Sequence, residues 1–262
     1  MARTPDGPPP APAVQRLRLQ YAKRGRLRFA SHRDFQRSLE RAMRRAGVPI
    51  AFSAGFSPHP KVSYANAAPT GAASEAEYLE IAVVERCDPE RLKQALDESL
   101  PDGLDIVDVV EVRTKEFADR LQASRWRIAL PGVEDHQLGE ALVAFLAADE
   151  VEVERLTKNG RRRFDARGAV VSAESVPPRA DEAALGPCAI LELVVRHQSP
   201  AVRPDDVLAG LRESSGLTPP VAPSVTRLAQ GPLDPQTGAL GDPLGPDRLA
   251  ADVDAPPPGP TA

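Results

Sequence analysis

Ser31 and His32, with His59 and Lys61 further on, are the residues of this chain whose types suit acid–base chemistry. Two imidazoles beside a helix start that holds a phosphate would serve as general acid and base in metal-independent RNA strand cleavage. The competing reading is structural: His32 helps to cap a helix, and His59 packs between Pro58 and Pro60. Spacing alone favours the structural reading, so His32 and His59 stand only as weak catalytic candidates. Charge gives the stronger signal. From Lys23 to Lys61 there are ten basic residues and two acidic ones, Asp34 and Glu40, in a chain whose net charge is −4. Such a concentration inside an acidic protein reads as a local footprint for phosphate or for an acidic surface.

A helix must present these charges. Ser31 has the chemistry of an N-cap and Asp34 that of its capping-box partner. Over 32–46, Phe35, Leu39, Ala42, Met43 and Ala46 form an apolar stripe, while Arg33, Arg37, Arg41 and Arg44 recur on another face. Gly47 and Pro49 stop the helix. A merely solvated face mixes signs, and only Glu40 stands among these arginines. The loop that follows, AFSAGFSPHPK, carries Gly55, Phe56 and His59. Phe56 is expected to plug the core, with base stacking as the alternative.

The wider pattern supplies a scaffold. Strands are expected at Val14–Gln20, Lys61–Ala65, Glu77–Val84 and Leu104–Val110, with a second helix opened by Asp88-Pro89. The order β-α-β-β-α-β is the split, ferredoxin-like arrangement. A degenerate repeat follows: strand Trp126–Leu130, helix Glu134–Ala148, strands Val151–Leu156 and Arg163–Arg167 about an Asn159-Gly160 turn, strand Ala189–Val195, helix Asp205–Glu213 and strand Ser224–Ala229. The expected class is α+β, two tandem ferredoxin-like (βαββαβ) units. The segments are a proline-rich disordered leader (1–13), the two units (14–113 and 114–230) and a disordered tail (231–262). Lys158, Arg161 and Arg162 at the hairpin tip make a second basic cluster.

Composition narrows the classes. Apolar residues are 42% of the chain and aromatics 4%, enough for an aliphatic core. No apolar run of about 18 residues is present and the N-terminus is too polar for a signal peptide, so a soluble cytoplasmic protein is expected. Cys87 and Cys188 and the four histidines have no metal-ligand spacing, and nucleotide-binding and hydrolase motifs are absent. Neither metal nor cofactor is expected.

The run RLRFASHRDFQRSLERAMRRAGVPIAFSAGFSPHPKVSYANAAPTGAASEAEYLEI resembles the radical SAM-linked domain family of unknown function, and KNGRRRFDARGAV and VRPDDVL extend the likeness over about 14–230. In bacteria that domain stands alone or is fused behind a radical SAM enzyme. This chain reads SHRDF where many relatives read SHLDL, which puts Arg33 at a usually apolar position. It has no CxxxCxxC motif, so the resemblance implies an accessory to a radical SAM enzyme rather than the enzyme itself. A weaker similarity to CRISPR RNA-processing endoribonucleases, also tandem ferredoxin-like, points towards RNA by analogy of fold alone.

The reading ranked first is a non-catalytic RNA-binding accessory protein for tRNA or rRNA. Arg33, Arg37, Arg41, Arg44 and Lys61 would contact phosphates, and Lys158, Arg161 and Arg162 would extend the track. A protein adaptor docking on a radical SAM enzyme without RNA comes second. An endoribonuclease using His32 and His59 comes third.

Overall fold

The computed structural model describes residues 10–158, 160–183 and 187–254. It is a mixed α+β protein in two compact units: the described residues up to 118 together with those from 243, and residues 119–242.

The first unit begins with β1 (Gln15–Lys23), a 3-10 turn (Gly25–Phe29) and α1 (His32–Arg45). It continues through β2 (Val62–Ala65), β3 (Ala73–Val83), α2 (Pro89–Asp97) and β4 (Leu104–Glu111). The strands lie in the order β4-β1-β3-β2, every neighbour antiparallel. Period-2 alternation sends Leu17, Leu19 and Tyr21 to one face with Leu79, Ile81 and Val83. There Phe35, Leu39, Ala42 and Met43 of α1 and Leu92 and Leu96 of α2 close over them as one aliphatic core. The apolar stripe of α1 thus packs as its spacing requires. At its start Ser31 Oγ accepts the Asp34 N–H at 3.2 Å, and Asp34 accepts the Ser31 N–H at 3.3 Å, a complete capping box.

In the second unit a short turn, α3 (Phe117–Arg120), leads across the boundary into β5 (Ala123–Pro131) and α4 (Asp135–Ala147). Then come β6 (Glu152–Thr157), β7 (Gly160–Asp165), β8 (Val170–Val176), the short α5 (Ala180–Ala183), β9 (Cys188–Arg196), α6 (Pro204–Ser215) and β10 (Ser224–Gly231). The sheet order is β10-β5-β9-β8. Helices α4 and α6 approach at Gly210, where a Cβ would lie 2.8 Å from the Phe145 ring.

Two expectations are corrected. The hairpin β6–β7 is a separate two-stranded sheet, and the strand that pairs with β9 is β8, in a stretch assigned no structure from sequence. The hairpin's strong turn signal drew the assignment away from VVSAESV, whose alternation is weak. Asn159, half of that turn, lies outside the described residues, as do 1–9 of the proposed leader.

The segment after 231, expected to be disordered, is ordered as far as 254. It ends in α7 (Gly245–Asp254), which belongs to the first unit. Composition missed one buried contact. Asp247 accepts hydrogen bonds from the Arg113 and Thr114 N–H groups (both 2.9 Å) and the Thr114 hydroxyl (2.6 Å), and it is ion-paired with Arg18. Arg18, only 3% exposed, lies on the face of β1 opposite the aliphatic core. It also reaches Glu80 at 3.2 Å and the Thr114 carbonyl at 2.8 Å, and its guanidinium lies 4.9 Å from the centre of the Phe117 ring. A buried guanidinium demands such partners, and the tail supplies the carboxylate.

Candidate functional site

Helix α1 presents its basic face to solvent. Arg33, Arg37, Arg41 and Arg44 are exposed, one or more turns apart. Among the described residues none of them lies within ion-pairing distance of a carboxylate; Arg41 donates to Ser38 Oγ at 3.1 Å. Of the two acids on the helix, Asp34 is occupied by the cap, and Glu40 is half-buried and acts on Tyr64. Ser31 holds the Asp34 carboxyl below the ordinary range, with Arg37 and Arg33 adding to the effect. Arg45 instead donates to the Ser99 carbonyl, and Arg24 is clamped between Glu75 and Asp105, so not all the cations counted in this stretch are open.

The two histidines take different positions. His32 opens α1, its ring edge-on to Tyr64 at 4.6 Å and its Nε2 3.1 Å from Gln36 Nε2. Burial, with Glu40 adding, pushes the Tyr64 phenol up. His59 closes the loop: its N–H donates to Ser53 Oγ at 3.1 Å, Nδ1 lies 2.9 Å from that oxygen, and its carbonyl accepts the Ser53 N–H at 2.9 Å. No hydrogen bond joins His32 to His59, and they line separate clefts. Phe56, expected as a core plug, is 70% exposed at the loop tip, because Gly55 at φ 131° and the Ser53–His59 clasp turn the tip outward. Lys61, exposed, follows directly.

At the hairpin two of the charges are answered. Strand register sets Arg163 opposite Glu154. Arg161 binds Glu154 at 2.7 Å, and Arg163 reaches Glu152 at 3.3 Å and Glu154 at 3.4 Å. These arginines, Arg161 first, lower the Glu154 carboxyl. Lys158 and Arg162 stay exposed beside them.

Sequence reasoning missed a cleft of about 180 Å³ at the head of α1, lined by Tyr21, Lys23, Ser31, His32, Thr70 and Glu77. Lys23 is 6% exposed and Glu77 2%, and Glu77 Oε2 accepts the Ala68 N–H at 3.0 Å. A signal was present: Lys23 continues the inward phase of Leu17, Leu19 and Tyr21, and Glu77 that of Leu79 and Ile81. Charged residues seldom occupy such positions without partners.

Among the described residues no cluster of three or more His, Cys, Asp or Glu is placed to hold a metal ion, and no helix is long and apolar enough to cross a membrane. Residues 16–204 match the family described as "Uncharacterized protein conserved in bacteria (DUF2344)". No curated protein matches the chain. A solved structure similar to it is that of an unknown protein from Galdieria sulphuraria, at 15% identity over 81% of this chain and 98% of that one, with a TM-score of 0.23.

Proposed function

This chain belongs to the bacterial DUF2344 family, and from there we propose that it is a non-catalytic RNA-binding accessory protein that works with a radical SAM enzyme in RNA modification or maturation. The observation that carries the RNA reading is the row Arg33, Arg37, Arg41 and Arg44, exposed on one capped helix with no carboxylate within ion-pairing distance among the described residues. Like charges a turn apart repel, and a phosphate backbone removes that repulsion while releasing its own counterions. Guanidinium groups suit phosphate through their planar, multiple donors. Lys61 extends the row, and Lys158 and Arg162 are secondary contacts, with Arg161 held by Glu154.

The radical SAM partner is supported by the sequence resemblance, and a cytoplasmic setting belongs to the same reading. Each unit is read as ferredoxin-like, supported by the strand orders β4-β1-β3-β2 and β10-β5-β9-β8, with β6–β7 as an insertion in the second.

The test is an anisotropy titration of labelled tRNA and a structured rRNA fragment at two salt concentrations. Wild type is compared with an Arg37→Glu, Arg41→Glu, Arg44→Glu variant of equal thermal stability. Tight, salt-sensitive binding that the variant loses is expected. Weak binding that the variant leaves unchanged would overturn the RNA reading in favour of an adaptor, which would co-purify with its enzyme after nuclease treatment.

A further inference from the structure

The loop between Ala51 and Lys61 is tied at its stem and neck. Its stem is tied to β3, with Ala51 N–H donating to the Ala82 carbonyl at 2.8 Å and Ala82 N–H to the Lys61 carbonyl at 3.1 Å. Above the stem a bridge joins Phe52 to Pro60, and Ser53 and His59 clasp the neck. Such a structure could turn an aromatic ring inward; this one exposes Phe56 at the tip and Phe52 on the stem. A large apolar side chain on an ordered, outward loop forgoes burial in the folded chain, which is the mark of a contact made with something else.

The surroundings indicate what that is. A groove of about 400 Å³ at the loop base is lined by Arg16, His59 and Lys61, with Glu80 as its one acid. Arg16 is ion-paired with Glu80, yet its side chain is 62% exposed. Lys61 has no carboxylate partner among the described residues, and Ser53 engages His59 through Nδ1, leaving Nε2 open. From Phe56 to His59 the chain spans at most about 11 Å, within reach of one or two nucleotides. Exposed rings beside a cationic groove suit single-stranded nucleic acid: bases stack on the aromatics while the groove follows the backbone. Ser53, Ser57, His59 and Lys61 intersperse the two rings with polar and basic groups, as a nucleic-acid contact requires.

We propose that the Phe56 loop is a stacking site for an unpaired segment of RNA, with Phe56 holding a base and Lys61, Arg16 and His59 its phosphates. This rests on the RNA reading and narrows it to single-stranded regions. Bases of an A-form duplex are stacked within the helix and offer the ring no face.

The chain has a single tryptophan, the buried Trp126, so a Phe56→Trp variant adds an exposed reporter. The probes are oligoadenylate and a blunt RNA duplex of equal length, read by tryptophan fluorescence and by anisotropy of labelled RNA. Oligoadenylate is expected to quench the new tryptophan and the duplex to leave it bright. Phe56→Ala is expected to weaken oligoadenylate binding about tenfold, at unchanged thermal stability, without altering duplex binding. If Phe56→Ala binds oligoadenylate as wild type does, or the duplex quenches equally, the stacking site is overturned while binding through α1 stands. If wild type binds neither RNA at low salt, both readings fall.

Discussion

Helix α1 and the β6–β7 hairpin each concentrate arginines, and they differ in what stands opposite. On the helix the arginines recur at three- and four-residue spacing, and of its two acids Asp34 is taken by the cap while half-buried Glu40 makes no ion pair with them among the described residues. On the hairpin, pairing sets Glu154 across from Arg163, and Glu152 and Glu154 between them engage Arg161 and Arg163. A basic run in sequence is therefore not yet an electrostatic site. Element type decides whether the cations meet one another or meet acids, and only the first case leaves charge for a partner. Arg18 is the extreme of the second: buried, fully engaged and unavailable to any ligand.

The largest effect is expected where an arginine has been committed inward. Asp247→Asn takes the buried carboxylate from Arg18, leaving it only Glu80, and should cost about 3 kcal/mol in urea unfolding. Burial pushes the Asp247 carboxyl up, but Thr114, the Arg113 N–H and Arg18 outweigh it and hold it at about 2, below its ordinary 3.8. Because the folded value is the lower one, this stabilisation is complete above pH 3.8 and is lost as pH falls through about 2. Stability measured down that acid limb should fall in wild type, and the Asp247→Asn variant should lack this component. An equal acid slope in the two proteins would remove Asp247 from the account.

A smaller effect, in binding rather than stability, separates the two arginine sets. Charge reversal at Arg37, Arg41 and Arg44 is expected to lower RNA affinity by about a hundredfold or more and to reduce the slope of log affinity against log salt by about two. Reversal at Arg161 and Arg163 should change affinity by less than about threefold, since Glu152 and Glu154 already answer both. Equal losses in the two variants, titrated side by side, would break the comparison.

The smallest effect sharpens it. Glu152→Gln with Glu154→Gln frees the hairpin arginines and should raise RNA affinity about two- to threefold at low salt, a gain that disappears at high salt. No gain at low salt would mean that the acids are not what keeps the hairpin quiet.

What could be read from sequence was local. The Ser31–Asp34 cap, the apolar stripe of α1 and its arginine face depend on residues within one or two turns, and the structure has each of them. Phe56 was not legible, because an aromatic side chain is ordinarily core and only the Ser53–His59 clasp turns it out. Strand β8 was eclipsed by a stronger turn signal upstream. Lys23 and Glu77 could have been flagged by their inward phase on β1 and β3, but their shared cleft needs both strands and the 67–70 loop. The ordered tail could not be foreseen from composition, since contacts distant in sequence hold it: the Arg18–Asp247 ion pair, the Asp247 bonds to Arg113 and Thr114, and Arg248 with Asp108.

That ion pair bears on the order in which the protein is made. Arg18 leaves the ribosome early, and the carboxylate it requires follows 229 residues later. All of 119–242 is synthesised in between, so the unit that starts first is completed last. Until Asp247 emerges, one face of β1 carries a cation with its intended cover still untranslated. A chain stalled within 119–242 thus holds a first unit that lacks only the segment from 243, with Arg18 short of its buried carboxylate.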